Sequence, residues 1–168
     1  MENNLTAQAV LDQLIEKQIA FACWFYPQES QMGLVVGNAS DVLFFDGFDQ
    51  LNGEAGFVFA PYQITGNSPV ILLQPKVYME DFTSENELDI KSFEPFDQKV
   101  EDEICSPQSK DDYLKLIEET LVSIRDGALS KVIIARQIPV KRTGASLGGT
   151  FLQLHDQTPN EFTFLLNF

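Results

Sequence analysis

Basic residues, histidine and cysteine are all scarce in this chain of 168 residues. Eleven Lys and Arg stand against 25 Asp and Glu, a formal net charge of −14 at pH 7. Binding nucleic acid needs clustered cations to displace counterions from phosphates, so this balance argues against such a partner. It equally disfavours an anionic membrane surface, and no apolar run approaches the ~20 residues of a membrane helix. With His155 as the sole histidine, His-His metal sites and most two-histidine chemistry within the chain are excluded. Cys23 and Cys105 lie too far apart for a zinc or thioredoxin-type pattern. They read as small buried hydrophobes; a disulfide between them stays open, although a cytoplasmic chain would keep both reduced. The start, Met1-Glu2-Asn3-Asn4-Leu5-Thr6, has neither the basic residues nor the apolar run of a secretory signal, which points to the cytoplasm. A Gly-x-x-x-x-Gly-Lys-Ser/Thr phosphate loop and a Gly-x-Ser-x-Gly elbow are both missing.

What is present suffices for a core: 44% of the residues are hydrophobic and 21% charged. Val10, Leu11, Leu14, Ile15 and Ile19 fall on one helical face within residues 5–20, and Asn4 or Thr6 can cap that helix. Short β-like runs separated by Gly, Pro and Asn follow at Gly33–Val36, Val42–Phe45, Gly56–Tyr62 and Val70–Met79. Rich in Phe and Val, they predict a mostly antiparallel sheet over residues 20–79. Residues 80–103 then carry ten acidic side chains against Lys91 and Lys99, the pattern of a solvated connector. A Ca²⁺ loop is the sharper alternative, but the central Gly and Asp spacing of an EF-hand are missing.

Order resumes at Ser109-Lys110-Asp111-Asp112, which has the form of a capping box with a short acid. Tyr113, Leu116, Ile117, Leu121 and Ile124 recur at helical steps up to Gly127, where a left-handed cap belongs. A strand is predicted at Lys131–Val140 from its β-branched residues, with Pro139 near its end. Gly144–Gly149 reads as a turn, Leu147–His155 as a short helix and Glu161–Phe168 as a strand. His155 reads as a helix-end residue with no nucleophile beside it. Lys131 opens an apolar strand just after a capped helix. Partial desolvation there would lower its pKa and free the amine to act as a base, although position alone favours an ordinary strand-start lysine facing water.

The text around that lysine resembles a known family. Tyr113, a helix, then Asp126-Gly127-Ala128-Leu129-Ser130-Lys131-Val132-Ile133-Ile134-Ala135-Arg136 is similar to the start of the chorismate-binding domain in chorismate-utilising enzymes, the anthranilate synthase component I-like family. Phe21–Pro27, Gly56–Tyr62 and Pro159–Phe168 resemble further stretches of the same family, with Phe25 where an arginine is usual. The resemblance implies an α+β fold, mostly antiparallel sheet with packed helices, forming an incomplete N-terminal part of the family's α/β sandwich. The expected organisation is a β-rich region at 1–79, the acidic connector at 80–108 and the start of a truncated chorismate-binding domain at 109–168. An apolar run cut at Phe168 adds the expectation of self-association through an incomplete sheet.

In this family, isochorismate and salicylate synthases carry lysine at the position of Lys131, where it activates water for attack on the chorismate ring; ammonia-using members commonly carry glutamine. The resemblance thus implies an isochorismate synthase with chorismate as substrate, Lys131 as general base and Mg²⁺ as cofactor. The family's general-acid glutamate and its Mg²⁺-holding glutamates follow the lysine by many residues, so Glu101 and Asp102 are not those groups. Arg136 matches the motif but falls on the opposite face and reads as structural. Menaquinone and siderophore pathways both use isochorismate. Two other readings remain: a salicylate synthase portion, or a non-catalytic module of the same descent that binds a protein partner.

Overall fold

A computed structural model describes residues 6–83, 88–96, 109–135, 144 and 146–168. These form two compact units, one from Met1–Lys99 with Ala145–Phe168 and the other from Val100–Gly144. The first unit is α+β with antiparallel sheets, as the sequence predicts.

Helix α1 (Ala7–Glu16) begins where the Thr6 hydroxyl accepts a hydrogen bond from the Ala9 amide at 3.3 Å and buries Val10, Leu11 and Leu14. It stops at Lys17. Gln18 takes a left-handed φ of 54°, and the Ile19 amide donates back to the Leu14 carbonyl at 2.9 Å, turning the chain into strand β1 (Ala20–Phe25). All six β1 residues are buried, so this strand reads as a continuous apolar run rather than an alternating one. It lies between β2 (Met32–Gly37) and the last strand, β7 (Thr163–Asn167), in a four-stranded sheet of order β6-β2-β1-β7, with β6 at Val77–Met79.

The two faces of β1 build two cores. Phe21, Cys23 and Phe25 pack with Leu11, Leu14, Leu34, Val36 and Phe151 beneath the helices. Ala20, Ala22 and Trp24 pack with Val35 of the neighbouring β2 and with Val42 and Leu73, which face them from a second, three-stranded sheet. That sheet has the order β3-β5-β4, made of β3 (Val42–Phe45), β5 (Val70–Leu73) and β4 (Phe57–Phe59). The run Val70–Met79, read from sequence as one strand, is therefore two strands in two sheets. Pro75 lies between them and has no amide hydrogen for a ladder. Gln74 donates instead to the Asp41 carbonyl and Lys76 to the Val36 carbonyl, both at 2.9 Å.

Helix α3 (Leu147–Gln157) starts at Ser146, whose hydroxyl accepts from the Gly149 amide at 2.7 Å. Gly148 and Gly149, expected in a turn, lie in its first turn for a packing reason: a Cβ at Gly148 would sit 2.9 Å from Leu11 Cβ. The Gly148 amide also donates to Asp12 Oδ1 at 3.0 Å, which fixes α3 against α1.

Gly33 answers a similar demand in β2. The Trp24 indole lies over it, and an added Cβ would fall 2.7 Å from Nε1 and closer still to the ring carbons. Gly33→Ala is therefore expected to displace the indole and cost about 1–3 kcal/mol, read as a lower denaturant midpoint at unchanged slope. A midpoint equal to the parent's would show that the ring moves aside freely.

The second unit, by itself, carries helix α2 (Lys110–Arg125). Ser109 Oγ accepts from the Asp112 amide at 3.0 Å and donates to Asp112 Oδ2 at 2.6 Å, so the short acid bonds the capping hydroxyl. Gly127 takes φ 75°, the left-handed cap expected there. No α2 residue is buried. The expected strand over Lys131–Val140 does not form in its described part: residues 131–135 have no strand pairing. The β-branched run has no partner strand among the described residues, and Ile133 is 85% exposed. A strand's backbone groups need a neighbour to pair with. Residues 136–140 lie outside the described set.

Candidate functional site

Lys131 is the one residue for which sequence implies catalysis. The chain reaches it from α2 through the left-handed Gly127 and Ala128-Leu129-Ser130. The amides of Ala128 and Leu129 both donate to the Ser123 carbonyl, at 3.0 and 3.2 Å, closing the helix so that the chain leaves α2 in a defined turn. Lys131 is exposed, and among the described residues no carboxylate pairs with its ammonium. The described part of the second unit therefore places this side chain at an exposed position without apolar cover. Arg136, Glu101, Asp102 and Cys105 lie outside the described residues.

The other two residues with chemical potential are structural. Cys23 is fully buried in β1; burial pushes its thiol well up from the ordinary range, only partly opposed by a hydrogen bond with the Leu165 backbone. Such a thiol is not a nucleophile at neutral pH. His155 is in the last turn of α3, as the sequence suggests. Its ring stacks on Phe25 at a centroid distance of 3.7 Å and an interplanar angle of 6°, and its buried Nδ1 has no hydrogen-bond partner among the described residues. It covers the end of the core.

A metal has no ready place in the described residues. No three His, Cys, Asp or Glu side chains among them gather into a set that could hold an ion. Likewise no described helix is long and apolar enough to cross a membrane. Sequence reasoning passed over one concavity, a cleft between the two sheets of the first unit around Trp24, Tyr26 and Tyr78. No local pattern in the sequence signals it.

Comparison with known proteins adds one match. The family model described as chorismate binding enzyme matches residues 66–168, more than half of the chain, and the matched stretch contains α2, Lys131, α3 and β7. No curated protein and no solved structure matches the chain.

Proposed function

This chain belongs to the family of chorismate-binding enzymes, and we propose that within it the chain is the N-terminal portion of a cytoplasmic isochorismate synthase. The observation that carries this reading is a lysine, Lys131, in the segment Ser130-Lys131-Val132-Ile133-Ile134-Ala135-Arg136, where ammonia-using relatives commonly have glutamine. Glutamine cannot accept a proton from water; a neutral lysine amine can.

In the proposed reaction, Lys131 removes a proton from a water molecule as its oxygen bonds to the chorismate ring. The ring hydroxyl departs from another carbon as a second water, protonated by a general acid, and the ring double bond shifts between them. One water enters and one leaves, so atoms balance. Mg²⁺, when bound, would neutralise the substrate carboxylate, which a strongly negative protein otherwise repels. The resemblance carries neither the general acid nor the Mg²⁺ ligands onto a residue of this chain, so the 168 residues alone are proposed to be inactive.

The test is incubation of the full-length protein with chorismate, Mg²⁺ and ¹⁸O-labelled water. Isochorismate with one labelled oxygen is the expected product, and the 168-residue chain alone should give none. Salicylate and pyruvate would instead identify the two-step relative, and an aminated product with ammonia would overturn the assignment.

A further inference from the structure

The cleft between the two sheets of the first unit has a composition that selects a ligand class. Its larger chamber, about 550 Å³, is walled by Val35, Phe57 and Phe162 together with Trp24, Tyr26 and Tyr78. A smaller chamber of about 290 Å³ shares Trp24, Tyr26 and Tyr78 and adds the carboxylates of Glu29 and Glu80. The strand register explains the meeting. Tyr78 pairs with Val35 and Val35 with Ala22, which places Tyr78 on the same sheet face as Trp24. Gly33, opposite Trp24, lets the indole lie flat on β2.

Tyr26 and Tyr78 are 52% and 55% exposed, so both rings are open to a ligand. Tyr26 tilts against Phe162 at 5.7 Å and Trp24 against Phe57 at 5.4 Å. The Tyr78 hydroxyl donates to Glu80 Oε1 at 3.0 Å. This hydrogen bond holds the phenol proton and pushes its pKa up from the usual tyrosine value, a sign of negative potential at that end of the cleft. Among the described residues, no Lys, Arg or His lines either chamber.

We propose that this cleft binds a small organic monocation with an apolar body, its ammonium held among Tyr26, Tyr78, Glu29 and Glu80 and its body in the larger chamber against Phe57 and Phe162. Aromatic faces and carboxylates both attract a cation, and two chambers of this size suit a small molecule. Among its described lining residues, a carboxylate-bearing substrate such as chorismate would meet two like charges and no counter-charge, so the proposal does not depend on the role assigned to Lys131. A zwitterionic amino acid would gain at its ammonium and lose at its carboxylate.

Trp24 is the only tryptophan in the chain and reports directly on occupancy. Benzyltrimethylammonium titrated into the 168-residue protein at low salt is expected to change Trp24 fluorescence saturably. Benzyl alcohol should bind at least about fivefold more weakly and phenylacetate not at all. The double variant Glu29→Gln/Glu80→Gln, isosteric at exposed positions, should weaken the cation about tenfold, equivalent to 1.4 kcal/mol, with an unchanged circular dichroism spectrum. Tyr78→Leu should weaken it further. A flat titration, phenylacetate binding as well as the cation, or a double variant with undiminished affinity would each overturn the proposal.

Discussion

Under the proposed function, Lys131→Ala in the full-length protein is expected to lower the turnover of chorismate to isochorismate by ~10²–10⁴-fold, the usual contribution of a positioned general base. At about 1.4 kcal/mol per factor of ten this is roughly 3–6 kcal/mol of transition-state stabilisation. KM should change little, because the amine acts on water rather than on the substrate carboxylates. The variant separates chemistry from folding cleanly. Lys131 is exposed and is preceded by a closed helix end at Gly127, so removing its side chain uncovers no core and the unfolding midpoint should stay where it was. Lys131→Arg should not rescue, since a guanidinium cannot give up its proton in the working pH range. Lys131→Gln would place the ammonia-using family's residue there and should also fail with water. A variant whose rate stays within threefold of the parent would show that the proton goes elsewhere.

Local pattern made much of this fold legible. A cap at Asn4 or Thr6, the Ser109 cap, the left-handed Gly127, a helix over 110–126 and a strand at Val42–Phe45 follow from nearest-neighbour chemistry; the structure has the caps at Thr6 and Ser109, the helix at Lys110–Arg125 and the strand as expected. What local pattern cannot convey is which sheet a strand joins. Val70–Met79 looks uniform in hydropathy, yet Pro75 sends its halves into separate sheets. Gly148 looks like a turn residue until Leu11, over a hundred positions earlier, packs against it. The aromatic cleft was illegible for the same reason. Glu29 and Glu80 meet only because β6 pairs with β2 and β2 with β1, and no spacing in the sequence encodes that. Lys131 is the reverse case. Its motif was legible as text, while the apolar cover that a catalytic amine needs is not supplied by the described residues around it.

Phe21→Ala is expected to destabilise the 168-residue protein by about 3–5 kcal/mol, the range for truncating a buried aromatic ring. Phe21 is completely buried in the central strand. It pairs with Val36 on one side and Asn167 on the other, and its ring belongs to the core that α1 and α3 cover, together with Leu14 and Val36. Strands hold β1 on both sides, so the backbone has little freedom to collapse into the void, and the cavity cost should lie toward the upper part of that range. Measured against a typical domain stability of about 5–15 kcal/mol, the loss should move the denaturant midpoint far down while the slope, set by the surface exposed on unfolding, stays constant. Two companions decide whether packing is the cause. Phe44 lies in β3 of the second sheet at 51% exposure, and Phe44→Ala should cost about 1 kcal/mol or less. Phe21→Leu keeps most of the volume and should recover the larger part of the loss. If Phe21→Ala and Phe44→Ala proved equally mild, the two sheets would not share the division of labour their burial implies, and the helix-covered face of β1 could not be the principal core.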